Sequence, residues 1–393
     1  MSIIFISDNF PPEINAPATR TFEHLSFWSK SGTSVKVITC FPNFPIGKIY
    51  PGYKNKLFSS EIINNIEVFR VWSFIAPNKG VFKRILDYLS FFFTSFIAGL
   101  FIKGDLLIAT SPQFFTTFSA FLLSKIKRVP WVFEIRDLWP ESIVAVGAIK
   151  NKFIISILEK IELYLYHDCD KIIVVTKSFK NHLIERGVSS KKIQYIPNGV
   201  IKDNFKPDKK NSKLKNQLNI RGQKVFGYVG THGMAHKLDF IVNQSTFFPN
   251  YTFLFIGEGS EKNKLIKLAK SINATNCIFF DSVPKDKIRE YLSIIDYAII
   301  NLKKSDTFKS VIPSKIFESA AMDIPILLGV QGESQSLIEK YNAGECFIPQ
   351  HSKSFSYALK KILKNNYSKG SMELALDFDR KKLSHKMLKF ILS

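Results

Sequence analysis

The sequence predicts an α/β protein of two doubly wound parallel-sheet domains. Three observations carry that expectation. Short, almost wholly apolar runs recur at 3–6, 106–109, 131–135 and 326–328, and such runs suit parallel strands buried on both faces. Each is bordered by a turn or a helical apolar period, which is βαβ alternation. The alternation breaks in a polar, Lys- and Asn-rich stretch at 201–222 and then restarts. A chain of 393 residues that is 46% hydrophobic can bury two cores.

In order, residues 3–6 form the first strand, ending in a Pro-rich loop that runs from Ser7 to Arg20. A helix through Leu25 and Trp28 closes at Gly32, and 35–38 is the next strand. Residues 43–53, rich in Pro, Gly and aromatics, read as a loop over the carboxyl edge of the sheet, where function usually lies. Strands follow at 67–71, 106–109, 131–135 and 171–175. Residues 152–166 repeat apolar side chains at helical spacing, and 178–187 is a helix closed by Gly187. The strand at 191–200 ends in Pro197-Asn198-Gly199.

Residues 81–103 are a long apolar helix flanked by Lys79, Lys83, Arg84 and Lys103. Its nearly charge-free run, 88–102, is shorter than the ~20 residues a transmembrane helix needs. A buried core helix and an interfacial helix with basic flanks both fit.

The expected organisation is 1–200, a linker at 201–222, a second domain at 223–370, and a helical tail at 371–393 packing back toward the first domain. Second-domain strands are expected at 225–230, 253–259, 277–280, 297–301, 324–328 and 346–348. Pro313-Ser314-Lys315-Ile316-Phe317-Glu318 opens a helix with Ser314 as N-cap. Glu318 then lies one turn in, near the carboxyl ends of the strands, where open α/β sheets bind ligands. A plainer role for Glu318 is to complement the helix dipole.

The formal net charge is +22, from 55 Lys+Arg against 33 Asp+Glu. The basic residues are scattered and no nucleic-acid motif accompanies them, so nucleic acid is not an expected partner. An anionic membrane surface is. The four cysteines, 40, 169, 277 and 346, form no CxxC and sit at no metal-ligand spacing, a reducing-compartment pattern. Met1 to Ser7 reads as a strand opening and not as a signal peptide.

Three stretches could carry chemistry. Gly227-Tyr228-Val229-Gly230-Thr231-His232-Gly233, running on to Lys237, closes a strand and opens a helix. Small residues let the backbone approach an anion there, and Lys237 adds a charge, so a diphosphate would fit; an ordinary βα turn would look similar. Gly257-Glu258-Gly259 is a second strand-end turn on the same edge. Glu134-Ile135-Arg136-Asp137-Leu138-Trp139-Pro140-Glu141 puts three carboxylates and an Arg after a buried strand, as a site or as an ion pair fixing the loop. Asp168-Cys169-Asp170 and Asp377-Phe378-Asp379 are poorly placed for a metal, and neither a metal nor a cofactor is expected.

Taken together, the chain resembles the retaining GT-B glycosyltransferases of the glycogen-synthase-like group, family four, over essentially its whole length. That fold has two Rossmann-like domains facing a cleft. Asn9 to Glu13, Ala16 to Arg20, Arg136 to Glu141 and Ile196 to Gly199 look most like bacterial O-antigen and capsule enzymes of the fucosamine-transferase type. Pro313 to Glu318 is similar to the donor-binding motif, which has two Glu separated by seven residues.

The resemblance implies a metal-independent enzyme that moves a sugar from a nucleoside-diphosphate donor, expected to be a UDP-sugar. The acceptor would be a polyprenyl-diphosphate-linked glycan on the cytoplasmic face of the bacterial plasma membrane. Lys237, Glu318 and Arg136 take catalytic roles, with Glu318 on the donor ribose and Lys237 on the leaving diphosphate. Gly230, Thr231, His232, Gly257, Glu258, Asn198, Ser310, and the backbone from Val311 through Ile312, Pro313 and Ser314 to Lys315, would meet the donor. Asn15, Arg20, Asp137 and Glu141 would meet the acceptor. Ser310 stands where the family has its first Glu, and Thr231 where it often has Arg. A non-catalytic partner subunit and a sugar-nucleotide epimerase are the alternatives.

Overall fold

The computed structural model describes residues 1–393 except 45–46, 76–80, 112–113, 142–143, 145–148, 150, 209, 221–223 and 285–286. The chain divides into two compact units, Met1–Pro197 with Lys381–Ser393, and Asn198–Arg380.

The first unit follows the predicted alternation. Its elements are β1 (Ser2–Ile6), α1 (Ala16–Lys30), β2 (Ser34–Cys40), β3 (Phe58–Ile63), β4 (Ile66–Val71), α2 (Val81–Phe101), β5 (Leu106–Thr110), α3 (Phe114–Lys127), β6 (Trp131–Ile135), α4 (Lys152–Asp168), β7 (Lys171–Val174), α5 (Lys177–Glu185) and β8 (Ile193–Tyr195). Among the described residues the strands form an eight-stranded sheet in the order β3-β4-β2-β1-β5-β6-β7-β8. Strands β1, β5 and β6 are buried along nearly their whole length, as parallel strands covered on both faces must be. Among the described strands only β3 runs antiparallel, joined to β4 through Asn64 and Asn65, both at positive φ. The sequence reading does not include that hairpin, although Asn tolerates the left-handed conformation such two-residue turns require.

Helix α2 has one buried face and one exposed face. Phe91, Ser95 and Ala98 are buried. Ser95 Oγ lies 2.8 Å from Ser119 Oγ on α3. A Cβ at Gly99 would overlap Leu123, so the two helices meet along small residues. Phe93, Ile97 and Phe101 are exposed. Lys83–Phe101 is long and apolar enough to cross a membrane by length and composition, and 22% of that stretch is buried. Lys79 lies outside the described residues.

The second unit holds α6 (Ser212–Gln217), β9 (Val225–Val229), α7 (Leu238–Ser245), β10 (Thr252–Ile256), α8 (Lys262–Ser271), β11 (Cys277–Phe280), α9 (Ile288–Leu292), β12 (Tyr297–Asn301), α10 (Lys315–Ala321), β13 (Ile326–Gly329), α11 (Glu333–Tyr341), β14 (Gly344–Cys346), α12 (Ser352–Ile362) and α13 (Ser368–Asp377). The described strands are all parallel, in the order β11-β10-β9-β12-β13-β14. The last strand sits two residues earlier than expected, because Gly344 to Cys346 pair with Ile326 to Leu328.

Two boundaries differ from expectation. Residues 201–222 are not a linker, because Phe205 and Leu214 are buried in the core of the second unit and α6 lies inside the stretch. The tail is two helices, not one. Helix α13 packs in the second unit, where Leu374 and Phe378 join its core. Helix α14 (Arg380–Leu392) enters the first, where Leu383, Met387 and Ile391 are buried beside Leu25 and Trp28. Trp28 Nε1 donates to the Ser384 carbonyl at 3.0 Å. Residues 198–200 and 378–380 run side by side, with Val200 N donating to Phe378 O at 3.1 Å and Arg380 N to Val200 O at 2.8 Å.

Candidate functional site

The sheet of the second unit changes direction of winding between β9 and β12. From β9 the chain steps outward through β10 to β11, then crosses back to β12 and steps outward through β13 to β14. The carboxyl ends of β9 and β12 therefore flank a topological switch point, the usual ligand crevice of such sheets. Three connections converge on it. The loop after β9 carries Gly230 to Lys237, the loop after β10 carries Gly257 to Gly259, and the segment after β12 leads to Lys315 and Glu318 on α10.

Backbone contacts bind these connections together. Gly230 N donates to Ile256 O, His232 N to Glu258 O, and Lys303 N to Ala235 O, each at 2.8 Å. A Cβ at Gly257, which has φ +146°, would overlap the Gly230 carbonyl, so close approach of the two loops requires glycine there. Asn301 Nδ2, from the end of β12, donates to His236 O at 2.8 Å. The crevice is a built backbone cradle and not a slack loop.

Its side chains divide sharply. Lys237 donates to Asp239 Oδ2 at 2.6 Å, both side chains being partly exposed. Glu258 accepts from Lys262 at 2.7 Å. Thr231 is exposed, and its carbonyl accepts from Tyr228 Oη at 2.8 Å. Ser310 donates to the nearby Thr307 carbonyl at 3.1 Å. Val311 gives its carbonyl to Ser334 Oγ, and Ile312 is buried in the core. Ser314 occupies the N-cap position of α10 beside Pro313, but its hydroxyl makes no capping hydrogen bond. Lys315 and Glu318 line one pocket with Val229 and Ser319. Asn198 is half-buried at the start of the unit.

In the first unit the predicted acceptor residues are largely engaged inside the domain. Arg20 is fully buried, and its Nε donates to Glu134 Oε1 at 2.9 Å. Its two terminal nitrogens donate to the carbonyls of Pro197 and Ile196 at 2.8 and 2.9 Å. Arg20 thus ties helix α1 to the end of β6 and to the segment after β8, and is not open to an acceptor. Burial alone would raise the Glu134 carboxyl; the Arg20 and Arg136 guanidiniums outweigh it and hold that carboxyl below its ordinary value. Asn15 caps α1, accepting from Ala18 N at 2.9 Å, and its amide donates to Asn9. The backbone N–H groups of Arg136 and Asp137 donate to Ser111 Oγ at 2.7 and 3.2 Å. Glu141 pairs with His182 at 3.3 Å. Glu13 accepts from the N–H groups of Asn43 and Phe44, which fastens the 43–53 loop beside the carboxyl end of β2. Residues 45–46 of that loop lie outside the described residues.

Comparison with known proteins decides the family. Residues 18–203 match Glycosyltransferase Family 4, and residues 210–382 match Glycosyl transferases group 1. The chain carries the two domains of a GT-B glycosyltransferase. A protein of Escherichia coli (strain K12) named as a colanic acid biosynthesis glycosyl transferase, WcaI, is 24% identical over 330 residues, 80% of each chain. Sucrose-phosphate synthase from Thermosynechococcus elongatus superposes with a TM-score of 0.79 at 15% identity, over 99% of this chain and 98% of that one. Anabaena Alr3699/HepE in complex with UDP and glucose superposes with a TM-score of 0.71 at 14% identity, over 100% and 99%.

Two features of this glycosyltransferase's crevice go beyond the sequence expectations. The Lys315 side chain, as distinct from its backbone, reaches the end of β9 at Gly230. His232 is fully buried, and neither ring nitrogen has a hydrogen-bond partner among the described residues. Burial first, then the charges of Lys262, His236 and Lys315, push its pKa down to about 4, so the ring is neutral at pH 7. Phe255 and Phe279 pack edge-on to it. An unpaired imidazole in an aromatic setting costs stability, so His232→Phe should raise the unfolding midpoint of the ligand-free protein, by about 1–3 kcal/mol in free energy. It should weaken donor binding at the same time. Urea unfolding and donor titration on one preparation check both. The acid limb follows in sign. A histidine depressed in the fold loses stability as pH falls below about 6.5, where the unfolded chain takes the proton first. His232→Phe should flatten that limb.

Proposed function

We propose that this glycosyltransferase moves a sugar from a nucleoside-diphosphate donor, a UDP-sugar first among them, to a polyprenyl-diphosphate-linked glycan in bacterial surface polysaccharide synthesis. The anomeric configuration is retained and no metal takes part. The observation that carries the donor half is the crevice itself, where glycine backbone, a neutral imidazole and the pair Lys315 and Glu318 meet at the switch point of the second unit. In the reaction the bond from the anomeric carbon to the diphosphate oxygen breaks, and its electrons stay on the diphosphate. The acceptor hydroxyl oxygen takes its place on the carbon, and its proton passes to the departing diphosphate. The protein's share is to offset the charge that develops on the leaving group. The WcaI relationship supports a polysaccharide product, and the UDP held in the HepE complex supports a uridine nucleotide.

Saturation-transfer NMR of the purified protein with UDP-, GDP- and dTDP-sugars tests the reading. Selective binding of one nucleotide is the expected result. Binding with no transfer to lipid-linked acceptor would favour a partner subunit, and product formed without acceptor an epimerase.

In the acceptor half of the reading, α2 lies at the cytoplasmic face of the plasma membrane. Its exposed Phe93, Ile97 and Phe101 supply apolar area, and the flanking Lys83, Arg84 and Lys103 face anionic lipid, each worth about 1 kcal/mol near the surface. Phe93→Glu combined with Ile97→Glu alters side chains that are 56% and 55% exposed, so folding should survive. The double variant should stop co-floating with anionic vesicles. Flotation equal to wild type would remove α2 from the membrane contact.

A further inference from the structure

The structure contains a lysine whose charge the described residues do not neutralise. Lys315 makes no hydrogen bond and no ion pair within 4 Å among them, although the Glu318 carboxylate, one turn on along α10, acts on its charge. Its ammonium sits under Gly230 at the carboxyl end of β9. A Cβ at position 230 would overlap both Nζ and Cε of Lys315, so the space that glycine leaves is filled by this cation.

The other cations of the crevice are committed or remote. Lys237 is taken by Asp239. Lys262 is held by Glu258, Asp281 and the Phe280 carbonyl. Lys303 and Lys304 are exposed to water, where a charge is screened. Burial draws the Lys315 ammonium below the ordinary lysine value, and Glu318 draws it back up. His232 and His236 are both pushed down to about 4, burial first, with the Lys315 charge contributing to each. These neighbours are therefore neutral at pH 7, and Lys315 is the cation turned to the junction of the β9 loop and α10.

We propose that the Lys315 ammonium, seated beneath Gly230, binds the diphosphate of the donor and offsets its charge as it leaves, in addition to Lys237. The inference rests on the nucleoside-diphosphate reading above. A partly buried cation that forms no ion pair with the described residues gains when a ligand brings an anion to it, because the interaction is made away from bulk water and the proton is then held. Gly230 itself is favoured by its backbone, at φ +143°.

The test separates phosphate recognition from folding. Isothermal titration of the full chain compares a nucleoside diphosphate with the matching nucleoside, using UDP and uridine first, then the GDP and dTDP pairs. Lys315→Met keeps the apolar stem and removes the charge. It should weaken the diphosphate about a hundredfold and leave the nucleoside little changed. Lys270→Met, on the exposed end of α8, controls for the general loss of one positive charge. Gly230→Ala should mimic Lys315→Met by displacing the ammonium, with far-UV circular dichroism reporting whether it folds. Diphosphate binding by Lys315→Met equal to wild type overturns the inference. So does equal loss for diphosphate and nucleoside, which marks a structural role. If wild type binds no nucleoside diphosphate while remaining folded, the donor reading falls, and this inference with it.

Discussion

Truncating Glu134 to alanine should destabilise the first unit by about 3–5 kcal/mol, the usual cost of removing one partner of a buried pair. Both side chains of the Arg20–Glu134 pair are 1% exposed. Without Glu134 the Arg20 guanidinium keeps its carbonyl partners at Ile196 and Pro197 but holds an uncompensated charge in the interior. Arg20→Ala should cost a similar amount by stranding the carboxylate. The double variant Arg20→Met with Glu134→Leu should recover much of the loss, because neither charge then remains. Urea unfolding of the four proteins measures these differences. The pH dependence has a definite sign. The carboxyl is depressed in the fold, so its contribution is complete above the unfolded value near 4.3 and is lost as pH falls through the lower folded value. A Glu134→Ala protein as stable as wild type at pH 7 would show that the pair is dispensable.

The same pair marks where the sequence could be read and where it could not. Strand positions in both sheets were legible because wholly apolar runs have few alternatives to a parallel strand. The charged residues after β6 were legible as a cluster. Their roles were not, since Arg20 and Glu134 are 114 positions apart and only the folded chain brings α1 to the end of β6. The stretch 201–222 looked like a linker because Lys and Asn dominate it, yet Phe205 and Leu214 suffice to anchor it in the core. The β3–β4 hairpin was missed because the exposed edge strand alternates with modest residues and its turn is Asn-Asn, without glycine. In the crevice, the glycines and Glu318 could be placed by the strand-end rule. Lys237 and Lys315 are both lysines near strand ends, and only coordinates show that one faces Asp239 and the other Gly230.

Replacing Glu318 by alanine should weaken donor binding by about two to four orders of magnitude while changing stability by about 1 kcal/mol or less. The small stability term follows from position. Glu318 is half-buried in the first turn of α10, where an acidic residue gains about 0.3–1 kcal/mol from the helix dipole and alanine is a good helix former. The large binding term follows from chemistry. A carboxylate in the crevice can accept two hydroxyl hydrogen bonds, and each bond to a charged group is worth about 1.5–3 kcal/mol. Removing Glu318 also deprives Lys315 of the carboxylate that holds its proton, so diphosphate alone should bind Glu318→Ala with a smaller loss than the intact nucleotide. The role of the ribose can be isolated without further mutation. Deoxy nucleotides lacking one ribose hydroxyl should bind wild type poorly and Glu318→Ala no worse than the ordinary nucleotide does. That non-additivity is the signature of a direct contact. Equal penalties for the missing hydroxyl in both proteins would place the ribose elsewhere and leave Glu318 with its helix-dipole role.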